Sequence, residues 1–244
     1  MPSSPPHTEA VIFDWGGTLS VWAEVEMEDM WRLAAEHVSG VTGADFEAVL
    51  GRLVEIEDRL WVECAETARG ARSFRLVDVL EAASAVLGVD VAAAVLEEAG
   101  NRHLDSWTPH VTHDPDAVKT LEALKRRGLR IGLLSNTHWP ARFHEHFLER
   151  DGLLDLIDVR VYSSEEARMK PHPDIFRATL DRMGAQPART MFVGDRMWDD
   201  VWGAQQAGMR GVWKRTPHAK HRDGVVPDAV VTRLPDLLDL LGRP

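Results

Sequence analysis

Glu9-Ala10-Val11-Ile12-Phe13-Asp14-Trp15-Gly16-Gly17-Thr18-Leu19 is the stretch whose reading decides the fold. Val11, Ile12 and Phe13 form a continuous apolar run that stops at a carboxylate. A run this short, closed by turn residues, reads as a strand buried on both faces, and we place it at 9–14. Gly16, Gly17 and Thr18 then turn the chain. An acid at the carboxyl end of a buried strand stands where open α/β sheets bind their ligands.

Three further stretches extend the pattern. Leu134-Ser135-Asn136-Thr137 closes an apolar run at 130–134, and Val193-Gly194-Asp195-Arg196-Met197-Trp198-Asp199-Asp200 closes another at 190–193. Met169-Lys170-Pro171-His172-Pro173 lies between them, in a loop pinned by two prolines. Strands are also expected at 159–163, 211–213 and 229–231, with helices at 116–127, 175–183 and 200–207 that end at Gly128, Gly184 and Gly208. Strands separated by helices imply right-handed crossovers and a parallel sheet covered on both faces. Between the first strand and residue 108 the pattern is different. Stretches 24–38, 44–65, 74–87 and 91–104 carry apolar residues at three- and four-residue spacing. Glycines at 40, 43, 70 and 88 separate them, and Ser73 and Asp90 fit the N-caps of the last two. A four-helix segment is therefore inserted after the first strand.

The 244 residues suffice for one large domain or two modest ones. No apolar run approaches the roughly 18 residues that span a membrane. The polar, proline-rich start lacks the apolar stretch of a signal peptide, so the expected location is cytoplasmic. A single cysteine, Cys64, excludes an intrachain disulfide framework and reads as helix packing. The net charge of −11 lies entirely in residues 21–108, which hold 18 acidic and 7 basic side chains; the rest holds 21 of each. An acidic chain without a basic stripe is a poor partner for nucleic acid or an anionic membrane, and neither is expected. The oligomeric state stays open.

Asp14, Ser135, Lys170 and Asp195 would place a carboxylate, a hydroxyl, an ammonium and a second carboxylate at the ends of neighbouring strands. That set can cleave a phosphate ester. A carboxylate can attack phosphorus and divide hydrolysis into two easier steps. Two carboxylates suit Mg²⁺, which takes hard oxygen ligands and keeps several waters. Blander readings exist for each residue. Asp14 could cap a helix, Lys170 could be a loop lysine, and Ser135 and Asn136 could simply form a turn. One of Asp199 and Asp200 could be a helix-start acid.

The four segments, in this order and with a helical insert after the first, resemble the haloacid dehalogenase superfamily from about 9 to 241. Gly194-Asp195 followed by Asp200-Val201-Trp202-Gly203-Ala204 and Ala207-Gly208-Met209 carries the match. So does Lys170-Pro171 followed by Pro173, Ile175 and Phe176. The resemblance implies an α/β fold: a doubly wound, Rossmann-like parallel-sheet core of residues 8–20 and 109–244, with a mobile all-helical cap at 21–108. It implies an aspartyl-phosphate on Asp14 and Mg²⁺ held by Asp14, the Gly16 carbonyl, Asp195 and Asp200. Lys170 would neutralise charge and Ser135 would donate to the phosphate. Gly17, Thr18 and Asn136 would help hold the substrate, with Arg69 and Arg72 as candidate contacts from the cap. The implied activity is a Mg²⁺-dependent phosphatase of a small phosphorylated metabolite.

Gly16 departs from this pattern. Most phosphatases of the family carry an Asp two residues after the nucleophile, as general acid and base, and glycine cannot replace it. Two alternatives follow: a catalytically weak relative that binds a phosphorylated ligand or protein partner, and a metal-independent 2-haloacid dehalogenase. Phosphonate hydrolases of the family use a cap lysine, and residues 21–108 contain none. His138 is the candidate substitute proton donor. His110, His113, His144, His146, His172, His218 and His221 read as a scattered surface set. Trp15 and Trp22 bracket the turn and would line the cleft.

Overall fold

The computed structural model describes residues 7–65 and 72–241. Six parallel strands form one sheet: β1 (Ala10–Phe13), β2 (Arg130–Ser135), β3 (Val159–Tyr162), β4 (Thr190–Gly194), β5 (Arg210–Lys214) and β6 (Ala229–Val231). Their order is β3-β2-β1-β4-β5-β6. β1 lies at the centre, with Phe13 in register with Leu133 of β2 and Val193 of β4. Asp14, Ser135 and Asp195 therefore emerge at one edge, where the order reverses and ligands bind.

Alternate residues of the central strands face opposite layers. Val11, Phe13, Ile131, Leu133, Met191 and Val193 belong to one core. It also takes in α5 (Ala117–Arg126), α6 (Ala141–Arg150) and α9 (Leu237–Leu240). Ala10, Ile12, Leu134 and Phe192 meet α7 (Pro173–Met183) and α8 (Gly203–Gln206) on the other face. The sheet is thus doubly wound, as its apolar runs indicate.

Among the described residues, four α-helices intervene between β1 and α5: α1 (Met27–Thr42), α2 (Phe46–Ala65), α3 (Leu76–Leu87) and α4 (Ala93–Trp107). α1 packs on α2 and α4, and α3 on α2 and α4, so the four close on themselves. The chain leaves and re-enters the sheet layer along one seam. Val21 donates to the Thr112 carbonyl at 2.9 Å, and Asp114 donates to that of Leu19 at 2.8 Å. No helix among the described residues is long and apolar enough to cross a membrane.

The structure corrects several local expectations. α6 was not anticipated, because Phe143, Phe147 and Leu148 give it only a narrow apolar stripe among charged neighbours. Neither proposed N-cap operates. Arg75 holds that position at α3, its N–H donating to the Asp78 carboxylate at 2.7 Å, and Ala92 holds it at α4. Ser73 instead donates to the Glu166 carbonyl. The helix expected from residue 200 begins earlier, as a wide turn over Met197–Trp202 that leads into α8.

Candidate active site

Lys170 is the centre of the site. Its ammonium is 2% exposed and lies 2.7 Å from Oδ1 of Asp14 and 2.7 Å from Oδ1 of Asp200. Burial alone would depress it, but the two carboxylates reverse that and hold it above the ordinary lysine value. Asn136 fixes the loop that carries it. The Asn136 amide donates to the Lys170 carbonyl and accepts from the Lys170 N–H, both at 2.8 Å. Asn136 thus positions Lys170, and it also lines the cavity in front of Asp14. Ser135, at the end of β2, lines the cavity in front of Asp14.

Asp14, Asp195 and Asp200 bring carboxylate oxygens within 4.8 Å of one another. Burial, reinforced by repulsion from Asp200 and Asp195, pushes the Asp14 carboxyl up to about 7 against the pull of Lys170. Burial and Asp200 push Asp195 up to about 6. Asp200 is fully committed: Oδ1 accepts from Lys170 and Oδ2 from the Arg196 N–H at 2.9 Å. Asp195 has one oxygen to spare. Its Oδ2 accepts the Trp22 indole N–H at 2.8 Å, while its buried Oδ1 has no partner. Three carboxylates against one ammonium, with an orphaned buried oxygen, fit a hard divalent cation such as Mg²⁺. Asp199 stands aside from the cluster, 3.5 Å from Arg196.

The turn after Asp14 is shaped by Trp22. Gly17 has φ +70, and a Cβ there would collide with Nε1 of Trp22 and Oδ2 of Asp195. Only glycine accommodates both that conformation and that contact. The Gly17 carbonyl accepts from Lys214 at 3.2 Å. Thr18 is fully buried and its hydroxyl has no partner. A Cβ at Gly16 would lie 3.1 Å from Cη2 of Trp22, so the indole covers the space where a longer residue 16 would project. Sequence reading placed Trp22 near the cleft but could not find its hydrogen bond to Asp195, which joins residues 173 positions apart.

In front of Asp14 is a cavity of about 450 Å³, lined by the sheet edge and by residues of α2 and α4. Five indoles line it: Trp15, Trp22, Trp61, Trp107 and Trp139. Trp15 donates to Nε2 of His113 at 3.1 Å, which leaves the His113 proton on Nδ1, 2.7 Å from Asp151. The histidines divide: His110, His146, His218 and His221 are exposed, as expected, but His113, His138, His144 and His172 are buried. His138 stacks on Phe74 and lies 3.6 Å from Glu57. Burial lowers it below the ordinary histidine value despite Glu57, so it is neutral in the fold. Arg72 pairs through its backbone with Arg168 and does not line the cavity. Arg69 lies outside the described residues.

Comparison with known proteins agrees with this geometry. The family pattern described as "Hydrolase: haloacid dehalogenase-like hydrolase" matches residues 8–208. The chain is 34% identical over 132 residues to glyceraldehyde 3-phosphate phosphatase of Pyrococcus furiosus, covering 53% of this chain and 54% of that protein. It is 33% identical over 128 residues to the pyrimidine 5'-nucleotidase YjjG of Escherichia coli, covering 52% and 56%. It thus spans about half the length of these curated relatives. A solved 2-haloacid dehalogenase from Pseudomonas syringae pv. Tomato superposes with TM-score 0.68 at 26% identity, over 97% of this chain and 99% of that one. A HAD phosphatase from Thermococcus onnurineus superposes with TM-score 0.66 at 24% identity, over 96% and 98%. With its sheet order, its carboxylate–lysine cluster and a family match over most of its length, this chain belongs to the haloacid dehalogenase-like hydrolases.

Proposed function

We propose that the chain is a Mg²⁺-dependent phosphatase of a small phosphorylated metabolite, working through an aspartyl-phosphate on Asp14. The observation that carries this reading is the buried cluster of Lys170 with Asp14, Asp195 and Asp200, in which one carboxylate oxygen has no partner. The phosphatase names among its relatives support it. Asp14 and Asp195 would hold the ion, with Asp200 beside them. The bound ion would neutralise charge between carboxylates and phosphate. Lys170 keeps one oxygen of Asp14 occupied, which aims the other into the cavity, and its charge favours an incoming phosphate. Ser135 would donate to a phosphate oxygen. The four helices would act as a cap that excludes water while the ester bond breaks.

Phosphate release from a panel of phosphomonoesters, measured in Mg²⁺ and in EDTA, tests this reading. Release should require Mg²⁺ and disappear in Asp14→Asn. Full activity in EDTA, with halide released from 2-haloacids, would replace the phosphatase reading with dehalogenation.

A further inference from the structure

Two independent features of the site restrict what the phosphate can be attached to. The first is chemical. A phosphate ester of an aliphatic alcohol needs its leaving oxygen protonated as the bond breaks, and general acid help supplies about 10²–10⁴ in rate. Residue 16 is glycine, and the Trp22 ring covers the space an acid there would need. The charged groups beside Asp14 are paired among themselves: Lys170 bridges two carboxylates and Asp199 faces Arg196. An aromatic hydroxyl avoids the requirement. Its pKa is about 10, as for tyrosine, so it can depart as the anion.

The second feature is the cavity wall. Trp61, Trp107 and Trp139 line the cavity that holds Asp14, and a largely apolar, aromatic wall suits a ring. On the α2 side the wall carries Glu57 and Asp58. Among the described residues, Lys170 and Arg196 supply the only lysine or arginine side chains on the wall, and both belong to the phosphate end. Glu57 and Asp58 would repel a second anion on that side.

We propose that the site acts on the phosphate monoester of an aromatic hydroxyl group, a phenol or a hydroxylated heteroaromatic ring. The proposal rests on the phosphatase reading above. In the first step an Asp14 oxygen bonds to phosphorus while the bond from phosphorus to the aryl oxygen breaks. The aryl oxygen keeps the electron pair and later takes a proton from solvent. In the second step water attacks phosphorus, the bond to Asp14 breaks, and the carboxylate returns with release of inorganic phosphate. The ring recognises the substrate and also serves as the leaving group.

Three probes separate the terms. Phenyl phosphate has the ring and the good leaving group, benzyl phosphate has the ring on an aliphatic oxygen, and acetyl phosphate has a good leaving group without a ring. With the native protein and Mg²⁺, kcat/KM for phenyl phosphate should exceed that for benzyl phosphate by at least about 10²-fold, the general-acid contribution that is missing. Trp61→Leu should raise KM for phenyl phosphate about tenfold, and by more than it raises KM for acetyl phosphate; equal effects on the two would overturn the role of the ring. Benzyl phosphate or phosphoglycolate turned over as well as phenyl phosphate would overturn the aryl assignment and leave the phosphatase reading standing. No phosphate release from any of these compounds, acetyl phosphate included, would overturn the phosphatase reading itself.

Discussion

At the scale of single residues, Gly16 and Trp22 form a matched pair. The sequence shows only that residue 16 is not the acid its family resemblance leads one to expect. The structure supplies the counterpart: an indole whose ring lies over Gly16 and whose N–H holds Oδ2 of Asp195. Restoring an acid is therefore not a one-residue change. Gly16→Asp alone should fail to raise turnover, and forcing a side chain against the indole should cost about 1–3 kcal/mol of stability. Gly16→Asp combined with Trp22→Gly opens the space and should raise hydrolysis of aliphatic esters relative to either single variant. Steady-state kinetics on benzyl phosphate, alongside thermal melts of the three variants, would check this. Equal turnover in the single and double variants would show that Trp22 does not guard the position.

At the scale of elements, the site depends on a clamp between two loops. Asn136 follows β2 and Lys170 precedes α7, and the Asn136 side chain makes both hydrogen bonds to the Lys170 backbone. Asn136→Ala should cost about 1–3 kcal/mol in folding stability through the unpaired groups it leaves. It should also lower kcat by up to about 10²-fold by letting the ammonium drift. Activity equal to the native protein would mean that the two prolines hold the loop unaided. The strands and most helices were legible in the sequence because burial imposes its period on apolar residues. β6 falls at its expected residues, whereas α6 escaped notice because only three of its side chains mark its buried face. The Ser73 and Asp90 caps failed because a capping residue type does not fix which backbone turn uses it, and Ser73 was drawn away to Glu166.

For the molecule as a whole, four sequence segments converge at one sheet edge because the strand order sets β1 between β2 and β4. That convergence was legible from motif order. The neutral histidine layer between sheet and helices was not, because burial of a histidine leaves no local signature. His144 is fully buried and accepts or donates at Thr137 Oγ1, 3.0 Å away. Burial, with His138 and His113 nearby, lowers it from 6.5 to about 3. The unfolded chain takes up the proton below 6.5, whereas the folded chain resists until about 3, so this contribution is complete above 6.5 and is lost as pH falls toward 3. Relative to the native protein, His144→Gln should lose less stability on acidification, by roughly 2 kcal/mol at a pH of about 5. Urea unfolding of both proteins at neutral and acid pH measures the difference, and parallel pH profiles would contradict it. The central claim is that Asp14 carries the phosphoryl group, and its most direct test is acid-quench trapping. Native protein would be mixed with phenyl phosphate radiolabelled in its phosphoryl group, quenched within milliseconds and mapped by peptide. The account predicts Mg²⁺-dependent label on the peptide containing Asp14, absent from Asp14→Asn. Phosphate released at full rate by Asp14→Asn, or label carried on another residue, would contradict it.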